Sequence, residues 1–176
     1  GPVGLLGAAL LVLRGCRTVV YSAEPEGDPK AKAALSLGAE YVSAKACPLD
    51  QLPARIPPVD VVYEATGASQ FAFDSMEMLG PNGVFILTGV PGRKGTIDIP
   101  GGDIMRRLVL YNQLVYGTVN APRSAFEAAA RDLETLRTKR PGAVEALISG
   151  RHALEDFAEP LAGRLPGIKH VLKVAA

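Results

Sequence analysis

The feature that most restricts the fold of this chain is an alternation. Apolar runs of strand length at residues 18–21, 59–64, 84–87 and 113–116 are separated by segments whose apolar residues recur at three- and four-residue spacing. Strands that read as near-continuous apolar runs are covered on both faces, and strands separated by helices join through right-handed crossovers into a parallel sheet. The expected fold class is α/β, a doubly wound parallel sheet. At 176 residues with 48% hydrophobic content, the chain is long enough to bury the core that such a sheet needs.

Local punctuation sets the expected elements. Leu5, Leu6, Ala9, Leu10 and Leu13 predict a first helix closed by a left-handed Gly15. Thr18, Val19, Val20 and Tyr21 predict a strand, and Ser22 to Gly27 a polar turn. Asp28 followed by Pro29 predicts a capped helix over 30–37 that Gly38 ends. A short extended stretch at 41–43 and a Pro-rich loop precede the run 59–64. Ser69 opens a helix carrying Phe71, Phe73, Met76 and Leu79 that closes at Gly80, and the turn Pro81-Asn82-Gly83 leads into the run 84–87. Asp103 is placed to cap a helix over 104–111. After Pro122 the character changes to a helical tail. Its long amphipathic helix carries Phe126, Ala129, Leu133 and Leu136, a second helix follows Pro141, and 168–174 alternates as a final strand. The expected division is a dinucleotide-binding domain over 1–120 and a tail over 121–176.

Composition excludes several classes. Lys and Arg number 19 against 18 Asp and Glu, net +1 with no long block of either sign, so neither nucleic acid nor an anionic membrane is an expected partner. The apolar run 3–13 falls well short of the roughly 20 residues of a membrane span and lacks the flanks of a secretion signal. Cys16 and Cys47 are too few for a disulfide framework and lack zinc-site spacing, which fits reduced cytoplasmic thiols. The chain opens Gly-Pro without Met, as though cut from something longer; an expression scar is the rival reading.

In doubly wound sheets ligands bind beyond the carboxyl ends of the strands. Gly1-Pro2-Val3-Gly4 matches the second and third glycines of a G-x-G-x-x-G phosphate loop, with a helix directly after it. About twenty residues on, where an acidic side chain would hold the adenosine ribose, stand Ser22, Ala23 and Glu24. Glu24 could reach the ribose, or Ser22 with Arg17 or Lys30 could hold a phosphate; a solvated turn is the bland alternative. At the carboxyl ends of the next two long strands stand Glu64-Ala65-Thr66-Gly67 and Thr88-Gly89-Val90-Pro91-Gly92, whose small residues leave room for a flat cofactor. Thr118, Val119 and Asn120 follow the run 113–116, where Asn120 has a plain turn or helix cap as its bland role.

Together these residues resemble the cofactor-binding half of zinc-dependent medium-chain dehydrogenases, most closely the C-terminal region of the glucose 1-dehydrogenases. The resemblance spans nearly the whole chain. It rests on Gly1-Pro2-Val3-Gly4-Leu5-Leu6, Leu37-Gly38-Ala39-Glu40-Tyr41, Asp60 to Gly67, Gly80-Pro81-Asn82-Gly83-Val84-Phe85, Leu87-Thr88-Gly89-Val90, Gly117-Thr118-Val119-Asn120 and the tail with Gly167-Ile168-Lys169. It implies a Rossmann-like domain, here lacking its first strand, that binds NADP or NAD in an enzyme oxidising an aldose at C1 to its lactone. It further implies that Pro2 and Val3 lie against the pyrophosphate, that Ser22 to Glu24 face the ribose, that Thr88 to Val90 line the nicotinamide region and that Thr118 to Asn120 complete it, Asn120 also touching the sugar. Zinc and the catalytic residues are expected in a preceding domain; Cys16, Cys47, His152 and His170 are not spaced as a metal site. A homo-oligomer is implied by the resemblance alone.

Two features depart from the family pattern. Members that prefer NADP are expected to offer Arg just after the second strand, where this chain has Ala23 and Glu24. Loss of a central strand would leave backbone groups unpaired at roughly 1 to 3 kcal/mol each if buried, which predicts marginal stability for the isolated chain. A non-catalytic NAD(P)-binding module, and a fragment of another medium-chain polyol or alcohol dehydrogenase, are the alternatives.

Overall fold

The structure is a computed structural model that describes residues 1–92, 95–163 and 165–174. The chain divides into two compact units, Gly1–Ala46 with Ala121–Ala176, and Cys47–Asn120.

In the first unit, helix α1 (Pro2–Leu13) starts on a proline, whose missing N–H costs nothing at that position. It ends where Gly15, at φ 81°, lets the Cys16 N–H turn back to the Leu11 carbonyl at 3.0 Å. Strands β1 (Val19–Ser22) and β2 (Glu40–Ser43) pair in parallel, from Val19 opposite Glu40 to Ser22 opposite Ser43. The crossover between them is α2 (Pro29–Ser36), capped by the Asp28 carboxylate, which accepts from the Lys30 N–H at 2.8 Å. The later elements are α5 (Arg123–Lys139), β6 (Ile148–Ala153), α6 (Ala158–Leu161) and β7 (Lys169–Lys173), with β6 and β7 paired in parallel. The core joins Leu5 and Ala9 of α1, Ala33 and Ala34 of α2, and Leu37, to Leu136, Ala143 and Leu147. Alanines at the helix contacts let the backbones approach closely.

The second unit holds β3 (Val59–Glu64), α3 (Ser69–Asp74), β4 (Leu79–Leu87), α4 (Gly101–Leu110) and β5 (Leu114–Gly117). Its sheet runs β3-β4-β5, all parallel. Phe85, near the carboxyl end of β4, is fully buried and packs with Met76 and Leu79, flanked by Val62, Phe73, Leu87, Ile104 and Val115.

Element types follow the sequence closely, and the differences lie where tertiary pairing overrides local pattern. Among the described residues the parallel strands are hydrogen-bonded as three sheets rather than one continuous sheet. The helix from Ser69 tightens to a 3-10 turn over Ser75–Met78 and stops there. Leu79 already pairs with Val59, so Gly80 lies in β4, and the expected turn is an irregularity within that strand with Asn82 at φ 59°. Asp103 falls in the first turn of α4, which begins at Gly101 without a side-chain cap. Directly after Pro141 the chain makes a 3-10 turn, Glu145–Leu147, and the next α-helix is the four-residue α6. The strand β6 behind it had no signal strong enough to read, because Gly150 interrupts its apolar pattern. Leu136 is buried as expected, whereas Phe126 is 69% exposed and Leu133 40%. Coverage on both faces also fails at β5: it is the edge strand, and Leu114 and Tyr116 are more than half exposed.

Candidate functional site

In the second unit the register brings three expected loops together. Glu64, Leu87 and Gly117 stand opposite one another across β3, β4 and β5. Thr66-Gly67, Thr88-Gly89-Val90 and Thr118-Val119-Asn120 therefore leave the sheet at the same end and the same level. The Thr118 N–H extends the ladder by donating to the Leu87 carbonyl at 3.0 Å.

The residue that organises the first two loops is Glu64, which the sequence places at the head of the first loop without assigning it a role. Glu64 is 4% exposed, and a buried carboxylate persists only with donors around it. Its Oε1 accepts from the Thr66 N–H and hydroxyl, both at 2.6 Å, and from the Gly67 N–H at 2.9 Å. Its Oε2 accepts from the Gly89 N–H at 3.3 Å. The Thr88 hydroxyl donates to the Glu64 main-chain oxygen at 2.8 Å. The two loops are thus fastened to one carboxylate. They also approach closely: a Cβ on Gly89 would lie 2.2 Å from the Gly67 nitrogen, and Gly67 itself, at φ 70°, would place a Cβ 2.6 Å from the Val90 carbonyl oxygen. Only glycine fits at either position. The signal in the sequence is a carboxylate at the last position of a strand, after Val61-Val62-Tyr63 and directly before the small residues Ala65-Thr66-Gly67.

Asn120 and Val119 are exposed, Val119 at 78%. The bland role for Asn120 is not realised as a helix cap, since α5 starts after Pro122 without a side-chain cap. A cavity of about 520 Å³ lies elsewhere in this unit, against Leu79, Gln113 and Val115 at the amino ends of β4 and β5, the opposite end from the loops.

In the first unit, Gly1 is the N-cap of α1, and Val3 and Gly4 are the second and third residues of its first turn. The first intrahelical bond runs from the Leu5 N–H to the Gly1 carbonyl at 3.1 Å. Val3 and Gly4 therefore carry the helix-start N–H groups that have no intrahelical acceptor, the arrangement that suits an anion.

At the carboxyl end of β1 the polar turn is organised. The Glu24 carboxylate accepts from the Ser22 hydroxyl and the Lys30 ammonium, and the Tyr41 hydroxyl donates to the Glu24 main-chain oxygen at 2.9 Å. The hydrogen bonds from Lys30 and Ser22 hold the Glu24 carboxyl down at about 2. The same partner holds Lys30 above its ordinary value. Ala23 is exposed beside them. Arg17, the other cation considered for a phosphate, is not at this end. It forms a bidentate pair with Glu40, at 2.6 and 3.0 Å, where β2 begins. That is five residues before Ser22, about 16 Å along an extended strand.

His152 and His170, distant in sequence, are brought together by the pairing of β6 and β7, with His152 Nε2 2.9 Å from His170 Nδ1. The Pro166 carbonyl, 3.0 Å from His170 Nε2, can only accept, so in the neutral ring His170 Nδ1 is the acceptor and His152 the donor. Among the described residues no group of three or more His, Cys, Asp or Glu could hold a metal ion, and no helix is long and apolar enough to cross a membrane.

The profile of the family described as "Glucose dehydrogenase C-terminus" matches residues 1–174. The chain is 38% identical over 161 residues to a glucose 1-dehydrogenase of Halobacterium salinarum, covering 90% of this chain and 44% of that protein. It is 31% identical over 176 residues to one of Methanocella arvoryzae, covering 100% and 49%. The crystal structure of Haloferax mediterranei glucose dehydrogenase in complex with NADP, Zn and gluconolactone superposes with a TM-score of 0.83 at 30% identity, over 100% of this chain and 49% of that one. An alcohol dehydrogenase of Thermotoga maritima, 21% identical over 92% of this chain and 44% of that one, has a TM-score of 0.78 and shares the fold. The chain spans about half the length of the curated relatives it matches.

Proposed function

Because the chain belongs to the glucose dehydrogenase C-terminus family, we propose that it is the nicotinamide-cofactor-binding portion of a sugar dehydrogenase that oxidises an aldose at C1 to its lactone. The observation that carries this reading is the level exit of three loops from one parallel sheet, two of them fastened to the buried Glu64. The carboxyl ends of such strands are where doubly wound sheets bind ligands.

The residues fit the group. The N–H groups of Val3 and Gly4, after Gly1 and Pro2, suit a pyrophosphate. Ser22, Ala23 and Glu24 face the adenosine ribose. Thr66, Gly67, Thr88, Gly89 and Val90 form a floor of small residues for a flat ring, and Thr118, Val119 and Asn120 complete it, Asn120 reaching the sugar. The nicotinamide cofactor, when bound, supplies the hydride acceptor. The chain's own part is to fix position: Glu64 holds the Thr66-Gly67 and Thr88-Gly89 backbones without needing to rearrange when ligand arrives, which is the value of a preorganised site. The Haloferax relative binds zinc beside NADP, and this chain's share of the reaction is the cofactor side. The gluconolactone bound by the Haloferax relative supports the substrate class.

The complete protein works in the cytoplasm as a homo-oligomer. In support, α4 and β5 leave Met105, Val109, Leu110, Leu114 and Tyr116 more than half exposed, apolar side chains that a second copy would cover.

The test is an assay of the protein at its natural full length with NAD⁺ or NADP⁺ and a panel of aldoses and polyols. Aldose oxidation with lactone formed mole for mole supports the reading. Turnover of polyols alone shifts it to another dehydrogenase, cofactor binding with no turnover makes the protein a binding module, and binding of neither cofactor overturns it.

A further inference from the structure

We infer that His152 and His170 form a chelating site for a divalent transition-metal ion of the Cu²⁺ or Ni²⁺ kind, which ties β6 to β7. The inference does not depend on the cofactor reading.

The strand register builds the pair. His170 stands opposite Gly150 in the parallel ladder, and His152 opposite Leu172. Residues two apart on a strand share a face, so Gly150 and His152 lie on one side of β6 and His170 comes in beside them. Gly150 supplies the room: a Cβ there would lie 2.5 Å from His170 Nδ1 and 2.8 Å from His152 Nε2. The two rings meet over that glycine with centroids 5.2 Å apart, and both residues are only half-buried, so solvent and ions can reach them.

His170 already has the form of a ligand. Its Nε2–H donates to the Pro166 carbonyl at 3.0 Å, which leaves the Nδ1 lone pair facing His152. A ligating histidine characteristically gives its other ring N–H to such an acceptor, which fixes the tautomer and the ring. The proton on His152 Nε2 occupies the place the ion takes. As the ion enters, that proton leaves Nε2 for water and another is taken up at His152 Nδ1, so the ring stays neutral and presents its Nε2 lone pair.

The bite decides the kind of ion. Two imidazole nitrogens about 2.05 Å from one ion and at right angles to each other stand about 2.9 Å apart, whereas tetrahedral directions need about 3.3 Å. His152 Nε2 and His170 Nδ1 are 2.9 Å apart. Turning the rings aims both lone pairs at one point without separating the nitrogens. Right angles suit Cu²⁺ and Ni²⁺ with nitrogen and oxygen ligands, and tetrahedral Zn²⁺ would force the rings apart. Among the described residues no third His, Cys, Asp or Glu joins the pair, so water completes the shell.

The experiment measures Cu²⁺ and Zn²⁺ bound by the protein at its natural full length, in wild type, His152→Gln and His170→Gln. Equilibrium dialysis counts the ions, and electron paramagnetic resonance of the Cu²⁺ form counts the nitrogens around them. Glutamine keeps an amide able to bond across the strands, and metal-free thermal melts check folding; His152→Asn and His170→Asn replace a variant that melts low. Wild type is expected to bind one more Cu²⁺ per chain than either variant, with splitting from two imidazole nitrogens at that ion. Loss of either ring should weaken the site at least about tenfold, because the second ligand acts as an intramolecular group. Zn²⁺ should bind there at least about tenfold more weakly than Cu²⁺. Equal Cu²⁺ binding by all three proteins overturns the inference and leaves the pair as a hydrogen bond between strands. A loss confined to one variant also overturns it, since a chelate needs both rings, and Zn²⁺ binding as tight as Cu²⁺ overturns the right-angle assignment.

Discussion

Two glutamates stand at the carboxyl ends of parallel strands in this chain, and they are used in opposite ways. Glu64 at the end of β3 is 4% exposed and satisfied by main-chain N–H groups and one hydroxyl from its own loop and the loop after β4. Glu24, just past the end of β1, has a side chain 28% exposed and is satisfied by two side chains, Ser22 and Lys30. Backbone donors cannot leave a buried carboxylate without being stranded themselves, so Glu64 is a fixture. Side-chain donors beside solvent can rotate, so Glu24 keeps capacity for a ligand. One carboxylate fixes two loops to each other, and the other keeps acceptor capacity beside solvent.

That contrast is open to measurement, and the largest effect belongs to Glu64. Glu64→Ala strands the N–H groups of Thr66, Gly67 and Gly89, and is expected to lower unfolding stability by about 3 to 5 kcal/mol and to abolish cofactor binding. Urea denaturation followed by far-ultraviolet circular dichroism checks it; a loss no larger than for Glu24→Ala would erase the distinction between the two residues. Next in size is Gly89→Ala. Its Cβ would stand 2.2 Å from the Gly67 nitrogen, so the two loops must part at a cost of about 2 to 3 kcal/mol. A parallel calorimetric titration should show weaker dinucleotide binding.

For Glu24 the expected signature is in acid. Its carboxyl is held at about 2 in the fold against an ordinary 4.5, so its contribution is complete above the ordinary value and is lost as pH falls from there toward 2. Wild type should lose about 1 to 2 kcal/mol more than Glu24→Gln across that window. Equal slopes in stability curves of the two proteins would remove the ion pair from the account. The smallest effect is that of Arg17→Ala. This exposed pair with Glu40 lies at the other end of β1, so neither the denaturation midpoint nor the affinity for either dinucleotide should move measurably. A drop in NADP⁺ affinity would return Arg17 to the phosphate role that its position denies it.

Much of the fold was legible because it is written locally. Pro29 after Asp28, and Gly15 and Gly38 past their helices, act within a turn of themselves, and the structure places each as read. Errors arose where a long-range partner decided the outcome. Leu79 fits the helical spacing of Phe73 and Met76, yet pairing with Val59 takes it into β4. The β6 strand, with Gly150 at its middle, is specified mainly by β7.

The site divides along the same line. Which residues stand at strand ends followed from the alternation of apolar runs with glycine, proline and polar turns, since backbone preference and hydrophobic period act over a few residues. The sequence by itself therefore determined the α/β class, the order of elements and the loops that could meet a cofactor. Tertiary structure alone decided that Glu64 joins its own loop to one 25 residues away, that Lys30 rather than Arg17 stands at the β1 tip, and that two histidines 18 residues apart touch. Each of these depends on the register between strands distant in the chain. A shift of one residue turns a side chain to the other face of its sheet, and no local preference fixes that register until the strands have packed.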